Sequence, residues 1–194
     1  MLFKVVLKLI FITIFSFNVL ASDEDLSKLI EFNWNQIKTL SGEFTQTSSG
    51  KQILKGEFFL NKPYKSFFKY NDEINNIITT RFFINIIDKN HNLIDRYPII
   101  NQPIYKILSN KVAFDDDFKI LSISKIKGEV IIQLGLNNNA EARSHITVTF
   151  DGVDYSLKKW EIVDQFGKST LLEFTKLRKN ISIEADLFSV QEEN

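Results

Sequence analysis

Leu157-Lys158-Lys159-Trp160-Glu161-Ile162-Val163-Asp164-Gln165-Phe166-Gly167-Lys168-Ser169-Thr170-Leu171-Leu172-Glu173-Phe174-Thr175 reads as two strands folded about one turn. Trp160 and Ile162 alternate with Lys159 and Glu161, and Thr170, Leu172 and Phe174 alternate with Glu173 and Thr175. Successive side chains of a strand point to opposite faces, so this is a ribbon greasy on one side and wet on the other. Between the arms, Phe166-Gly167 puts a glycine where a tight reversal tolerates positive φ. The unit is therefore an antiparallel hairpin with one face to bury.

The same pattern repeats outward in both directions. Strands are predicted near 42–48, 54–61, 66–71, 77–88, 93–97, 118–125, 129–136, 145–150, 155–164, 169–176 and 181–185. Lys127-Gly128 and Asp151-Gly152 supply further reversals, and Ile146, Val148 and Phe150 oppose Thr147 and Thr149. Helical spacing stands out in Leu26, Leu29, Ile30, Trp34, Ile37 and Leu40, behind Ser22 and Asp23 as caps, which predicts an opening helix ending near Ser41-Gly42. A second helix is expected over 103–109, with Pro103 in its first turn and Ile104, Ile107 and Leu108 as a stripe, covering the sheet from outside the meander. Asn137-Asn138-Asn139 marks an exposed loop. The fold class is mainly β with two or more short helices: one large antiparallel sheet, apolar on one side, that curls round its own core or is lidded by the helices.

Lys4 and Lys8 precede an apolar run from Leu9 to Leu20 that ends in Ala21. This is the pattern of a secretory signal peptide over 1–21, and the run is shorter than the roughly 20 apolar residues needed to span a bilayer. The remaining 22–194 is expected to be one domain in the bacterial periplasm. There is no cysteine, so neither a disulfide nor a lipid-attachment thiol is available. Lysine plus arginine balance aspartate plus glutamate at 24 each, which argues against nucleic acid as a partner. Of the 18 phenylalanines only Phe3, Phe11, Phe15 and Phe17 belong to the leader, so the domain itself keeps a bulky apolar interior.

Catalytic chemistry finds no footing here. His91 lies in a polar turn and His145 at a strand start, which suggests neither a metal cluster nor a Ser-His-Asp arrangement. No glycine-rich phosphate loop, metalloprotease motif or nucleophile elbow occurs. Asp115-Asp116-Asp117 lacks the alternating ligands and terminal glutamate of a calcium loop and reads as a solvated loop. The expectation is a protein that is not an enzyme and needs no cofactor or metal.

The ordered series Ile37-Lys38-Thr39-Leu40, Gly42-Glu43-Phe44-Thr45-Gln46, Gly56-Glu57-Phe58-Phe59-Leu60-Asn61-Lys62-Pro63, Phe68-Lys69-Tyr70, Ile86-Ile87-Asp88, Pro103 with Leu108, the hairpin 157–170, Asn180 and Leu187-Phe188 resembles the periplasmic outer-membrane lipoprotein carrier family, LolA. The resemblance implies an unclosed antiparallel β-barrel with a helical lid, whose apolar hollow takes lipoprotein acyl chains. It also implies the partners: lipidated N-termini of lipoproteins, an ATP-driven release complex in the inner membrane, and an acceptor at the outer membrane. Burying acyl chains is worth about 0.8 kcal/mol per CH₂, so one chain in water represents an exposure on the order of 10 kcal/mol. A carrier meeting two membranes in turn is expected to be a monomer. The alternative is a related lipid- or glycolipid-binding or envelope-sensing module without delivery activity.

Parity with Lys62 or clean alternation assigns Phe58, Leu60, Phe68, Tyr70, Phe150, Trp160, Ile162, Leu172 and Phe174 to the concave face, as lining of the acyl cavity that the resemblance implies or as ordinary packed core, and Trp34 to lid or core. Lys62 stands where the family usually has an arginine that holds the lid closed; lysine keeps the charge and loses the planar fork. Ser66 stands where a phenylalanine near the mouth is usual.

Overall fold

A computed structural model describes residues 23–48, 53–72, 74–100, 102–136, 144–164 and 166–192. The leader 1–21 and the triple asparagine lie outside them. Helix α1, Asp23–Asn35, is followed by strands β1 Thr39–Ser48, β2 Ile53–Asn61, β3 Lys65–Tyr70, β4 Asn76–Thr79, β5 Phe83–Ile87 and β6 Leu93–Pro98. Short helices α2, Pro103–Ile107, and α3, Phe114–Asp117, then lead to β7 Phe118–Ile126, β8 Glu129–Leu136, β9 His145–Asp151, β10 Leu157–Val163 and β11 Ser169–Lys179. A 3₁₀ turn, Ala185–Phe188, comes last.

All the strands form one antiparallel sheet in the order β6-β5-β4-β3-β2-β1-β11-β10-β9-β8-β7. It is not closed, because β6 and β7 lie at opposite edges. The expected unclosed barrel with short helices is thus the observed architecture. Two features of this order place the lid. Strand β1 pairs with β11 in the middle of the sheet, so α1 enters at its centre. Strands β6 and β7 are consecutive in the chain yet farthest apart in the sheet, so the segment that carries α2 and α3 crosses from edge to edge. Both segments come to rest on the concave face, where Leu26, Ile30 and Trp34 of α1 and Ile107, Leu108, Val112 and Phe114 of the crossing segment share one core with the strands. The second helix therefore lies inside the curl of the meander, not outside it.

Several boundaries differ from the sequence expectation, each for a local reason. Helix α1 stops at Asn35, and Ile37 and Leu40 leave the helical path while staying buried; Leu40 pairs with Leu60 and Lys179 as part of β1. The apolar run 77–88 is two strands, because Thr80, Arg81 and Phe82 form a reversal closed by Thr80 N–H donating to the Phe83 carbonyl at 2.8 Å. Strand β10 starts at Leu157 because Tyr155 sits at φ 52°. Asp115-Asp116-Asp117 is one helical turn, with Asp117 accepting from Ala113 N–H at 3.0 Å.

Residues 181–185 are not a strand. Asn180 turns the chain at φ 55°, and the following arm crosses the convex face, where Phe188 packs with Phe67, Ile78 and Ile87. Its end is fixed by Gln191 N–H donating to the His91 carbonyl at 2.8 Å and Leu93 N–H donating to the Gln191 carbonyl at 2.9 Å.

Candidate functional site

The nine residues assigned to the concave face fall in or against a single apolar core. Phe58, Leu60, Phe68, Tyr70, Phe150, Trp160, Leu172 and Phe174 are buried in it, and Ile162 packs on it half-buried. Edge-on aromatic pairs knit the wall: Phe44 with Phe68 at 5.3 Å and with Tyr70 at 5.1 Å, and Trp160 with Phe174 at 5.1 Å. A register shift between Leu157 and Lys159 lets Leu157 and Trp160, three residues apart, both face inward. Gly56 lies against the Phe44 ring, and a Cβ there would sit 2.1 Å from the Lys69 carbonyl oxygen.

The hollow that the family resemblance implies is filled here by the protein's own lid. Trp34 stands edge-on to both Phe150 (6.5 Å) and Trp160 (6.3 Å). Between the two tryptophans the void left is about 10 Å³, bounded by Trp34, Ile107, Phe114, Val148, Phe150 and Trp160, while an open groove of about 520 Å³ lies apart from it along Ser156, Leu157, Phe174 and Leu177. The void is room for one water at most, against the roughly 300–1,000 Å³ of ordinary ligand pockets. Of the six residues that bound it, sequence reasoning gave Phe150 and Trp160 as site residues and left Trp34 open between lid and core. It missed Phe114, whose place is set by the edge-to-edge crossing and has no local signal.

The lid is internally bonded. Trp34 Nε1 donates to the Ile107 carbonyl at 3.0 Å, and Asn35 both donates to the Val112 carbonyl (2.8 Å) and accepts from Val112 N–H (2.9 Å). Phe114 N–H donates to Glu31 Oε2 at 2.9 Å, and Lys28 pairs with Asp115 at 2.6 Å. Helix α1 and the crossing segment thus form one body. Its ties to the wall converge on the turn after β2. Lys62 Nζ donates to the Trp34 carbonyl at 2.8 Å and lies 4.3 Å from the Trp34 ring, and Tyr64 N–H donates to the Leu108 carbonyl at 2.7 Å. Tyr64 also stacks on Tyr105 of α2 at 4.7 Å.

Lys62 is only 9% exposed. Burial, with some repulsion from Lys38, pulls its ammonium down to about 7. The charge is partly compensated by the ring face and by the carbonyl end of α1, both of which favour a cation. Ser66 is fully buried beside this turn, and its hydroxyl meets Thr79 Oγ1 at 2.7 Å, which donates to the Tyr64 carbonyl at 3.1 Å. Where the family tends to have a phenylalanine, this chain has a polar brace under the turn. Burial pushes the Tyr70 hydroxyl up to about 12, and it donates to Gln46 at 2.7 Å. Among the described residues no group of histidine, aspartate and glutamate is arranged to hold a metal ion, and no helix is long and apolar enough to cross a membrane.

Several known proteins are similar to this chain. An uncharacterised protein of Rickettsia prowazekii is 27% identical over 187 residues, covering 93% of this chain and 86% of the relative. A putative outer membrane lipoprotein-sorting protein domain from Vibrio parahaemolyticus is similar at TM-score 0.47 and 12% identity, over 86% of this chain and 97% of that one. MucB of Pseudomonas aeruginosa, solved in complex with MucA, is similar at TM-score 0.43 and 13% identity, with 87% of this chain covered and 61% of that one. Residues 35–191, from the end of α1 to the C-terminal arm, match the family described as outer membrane lipoprotein carrier protein LolA, and the chain belongs to that family.

Proposed function

We propose that this protein is a periplasmic carrier that holds lipoprotein acyl chains against its concave face and moves lipoproteins from the inner to the outer membrane. The observation that carries the reading is the construction of the lid: an apolar helical body, bonded within itself, seated on an apolar wall and tied to it at the Lys62–Tyr64 turn. Such a body can leave as a unit. Leu26, Ile30, Trp34, Ile107 and Phe114 then act as placeholders, keeping the wall dry until acyl chains replace them.

The energetics suit a carrier better than a storage protein. Each acyl CH₂ gains about 0.8 kcal/mol on leaving water. Displacing the lid gives back part of that gain, so cargo is held without being trapped. Lys62, buried at the end of α1, is the lid-closing residue in this scheme. No covalent step is needed, and the protein works without cofactor as a monomer that meets a release complex at one membrane and an acceptor at the other.

The test is release of triacylated lipoprotein into the soluble fraction when purified protein is added to inner-membrane preparations supplied with ATP. Release is the expected outcome. Its absence from membranes that respond to another carrier would overturn delivery. Lipid co-purifying with a protein that releases nothing would point instead to a binding module without delivery.

A further inference from the structure

Among the described residues, the concave wall has one buried side-chain polar atom without a hydrogen-bond partner. Trp160 is 1% exposed, lines the central void, and its Nε1–H has no acceptor. The second tryptophan makes the contrast plain, because Trp34 donates its own indole N–H to the Ile107 carbonyl. The other unmatched buried side-chain atom among the described residues, Ser41 Oγ, lies elsewhere, in a groove shared with Phe59 and Arg178. Buried donors are almost always satisfied, and one that is not asks for an explanation.

Water is a poor one. The void has apolar walls, and a buried water needs two to four polar partners. Of the six residues that line the void, only Trp160 brings a buried side-chain donor without a partner, and none brings a buried side-chain acceptor. A carboxylate would bring a charge into a site whose nearby cation, Lys62, is already engaged by the Trp34 carbonyl and ring. An amide would satisfy Trp160 with its oxygen while stranding its own N–H. An ester offers a carbonyl acceptor and no donor, and it is the group that joins a fatty tail to glycerol.

We propose that the Trp160 indole N–H is the hydrogen-bond donor that receives an ester carbonyl of an acylglycerol group inside the chamber, so that the protein selects ester-linked acyl chains over bare or ether-linked ones. This rests on the acyl-carrier reading and adds a specificity-determining residue to it. The apolar wall supplies affinity for any long chain. Trp160 supplies the depth at which the chain stops, because the carbonyl must reach the indole and the glycerol beyond it must then lie nearer the mouth.

The experiment compares purified protein with its Trp160→Phe variant in binding dipalmitoylglycerol and the dihexadecyl ether analogue, whose tails match and whose carbonyls are missing. Wild type is expected to favour the diester by about tenfold, the size of one buried hydrogen bond. W160F loses wall area against both lipids, so the ratio is the readout, and it should fall to about one. An independent measurement needs no variant to fold: of the two indole N–H resonances, one should move downfield with the diester and stay in place with the diether. Equal binding of both lipids by wild type, or a ratio that survives in W160F, would overturn the assignment while leaving the carrier reading intact. If neither lipid binds wild type, the carrier reading falls with it.

Discussion

If Lys62 is the latch of the proposed carrier, lysine in place of the family's usual arginine changes how that latch behaves. An arginine in its place would be charged at every accessible pH. The lysine, drawn from near 10.5 to about 7 by burial, is protonated more readily once the lid opens or the chain unfolds. Between about pH 7 and about pH 10.5 the open or unfolded state therefore binds the extra proton, and the closed state gains stability as pH rises through that window. Below about pH 7 the ammonium stays buried and its cost is fully present, a penalty on the order of a few kcal/mol. Denaturation midpoints of wild type should accordingly improve relative to Lys62→Met between about pH 6 and about pH 9, whereas Lys62→Arg against Lys62→Met should show no such trend. A pH-independent difference between wild type and Lys62→Met would sink this account. Side-chain parity was enough to place Phe58, Leu60 and Lys62 on one face. The partner of Lys62, the Trp34 carbonyl 28 residues away, was not legible, because a backbone oxygen carries no sequence signal.

Among the elements, α1 and the crossing segment stand or fall together. Asn35 bridges them twice through Val112, so Asn35→Ala leaves a part-buried donor and acceptor unpaired, which costs about 1–3 kcal/mol. The expected result is faster hydrogen exchange at the Val112 and Phe114 amides, with amides of the central β1 and β11 pair unchanged. Uniform loss of protection across the sheet would show that the lid is not a separate body. Local pattern read most strands correctly because a one-residue slip would turn greasy side chains to water. It overran α1, since Ile37 and Leu40 keep a helical spacing while serving as chain exit and strand. It also read 181–185 as a strand, where Ile183 instead belongs to the arm that covers the convex face and packs against the cluster of Phe67, Ile78, Ile87 and Phe188.

The whole molecule has two apolar faces with separate covers, the lid inside and the C-terminal arm outside. Stability and the proposed lipid carriage should therefore be separable. Phe188→Ala removes a buried ring from the outer cluster and should cost about 3 kcal/mol in chemical denaturation. Lipid binding per folded molecule should be unchanged, because the concave wall is untouched; a parallel loss of binding would mean the faces are coupled. Sequence alone determined the antiparallel sheet, its greasy side and most of its wall, because alternation is a local property that each strand carries by itself. Only the tertiary structure decided that α1 enters beneath the centre of the sheet, that α2 and α3 pack on its concave face, and that Trp160 keeps an unmatched N–H. Those follow from the β1–β11 pairing and from the separation of β6 and β7, contacts between residues far apart in the chain that no short window of sequence can encode.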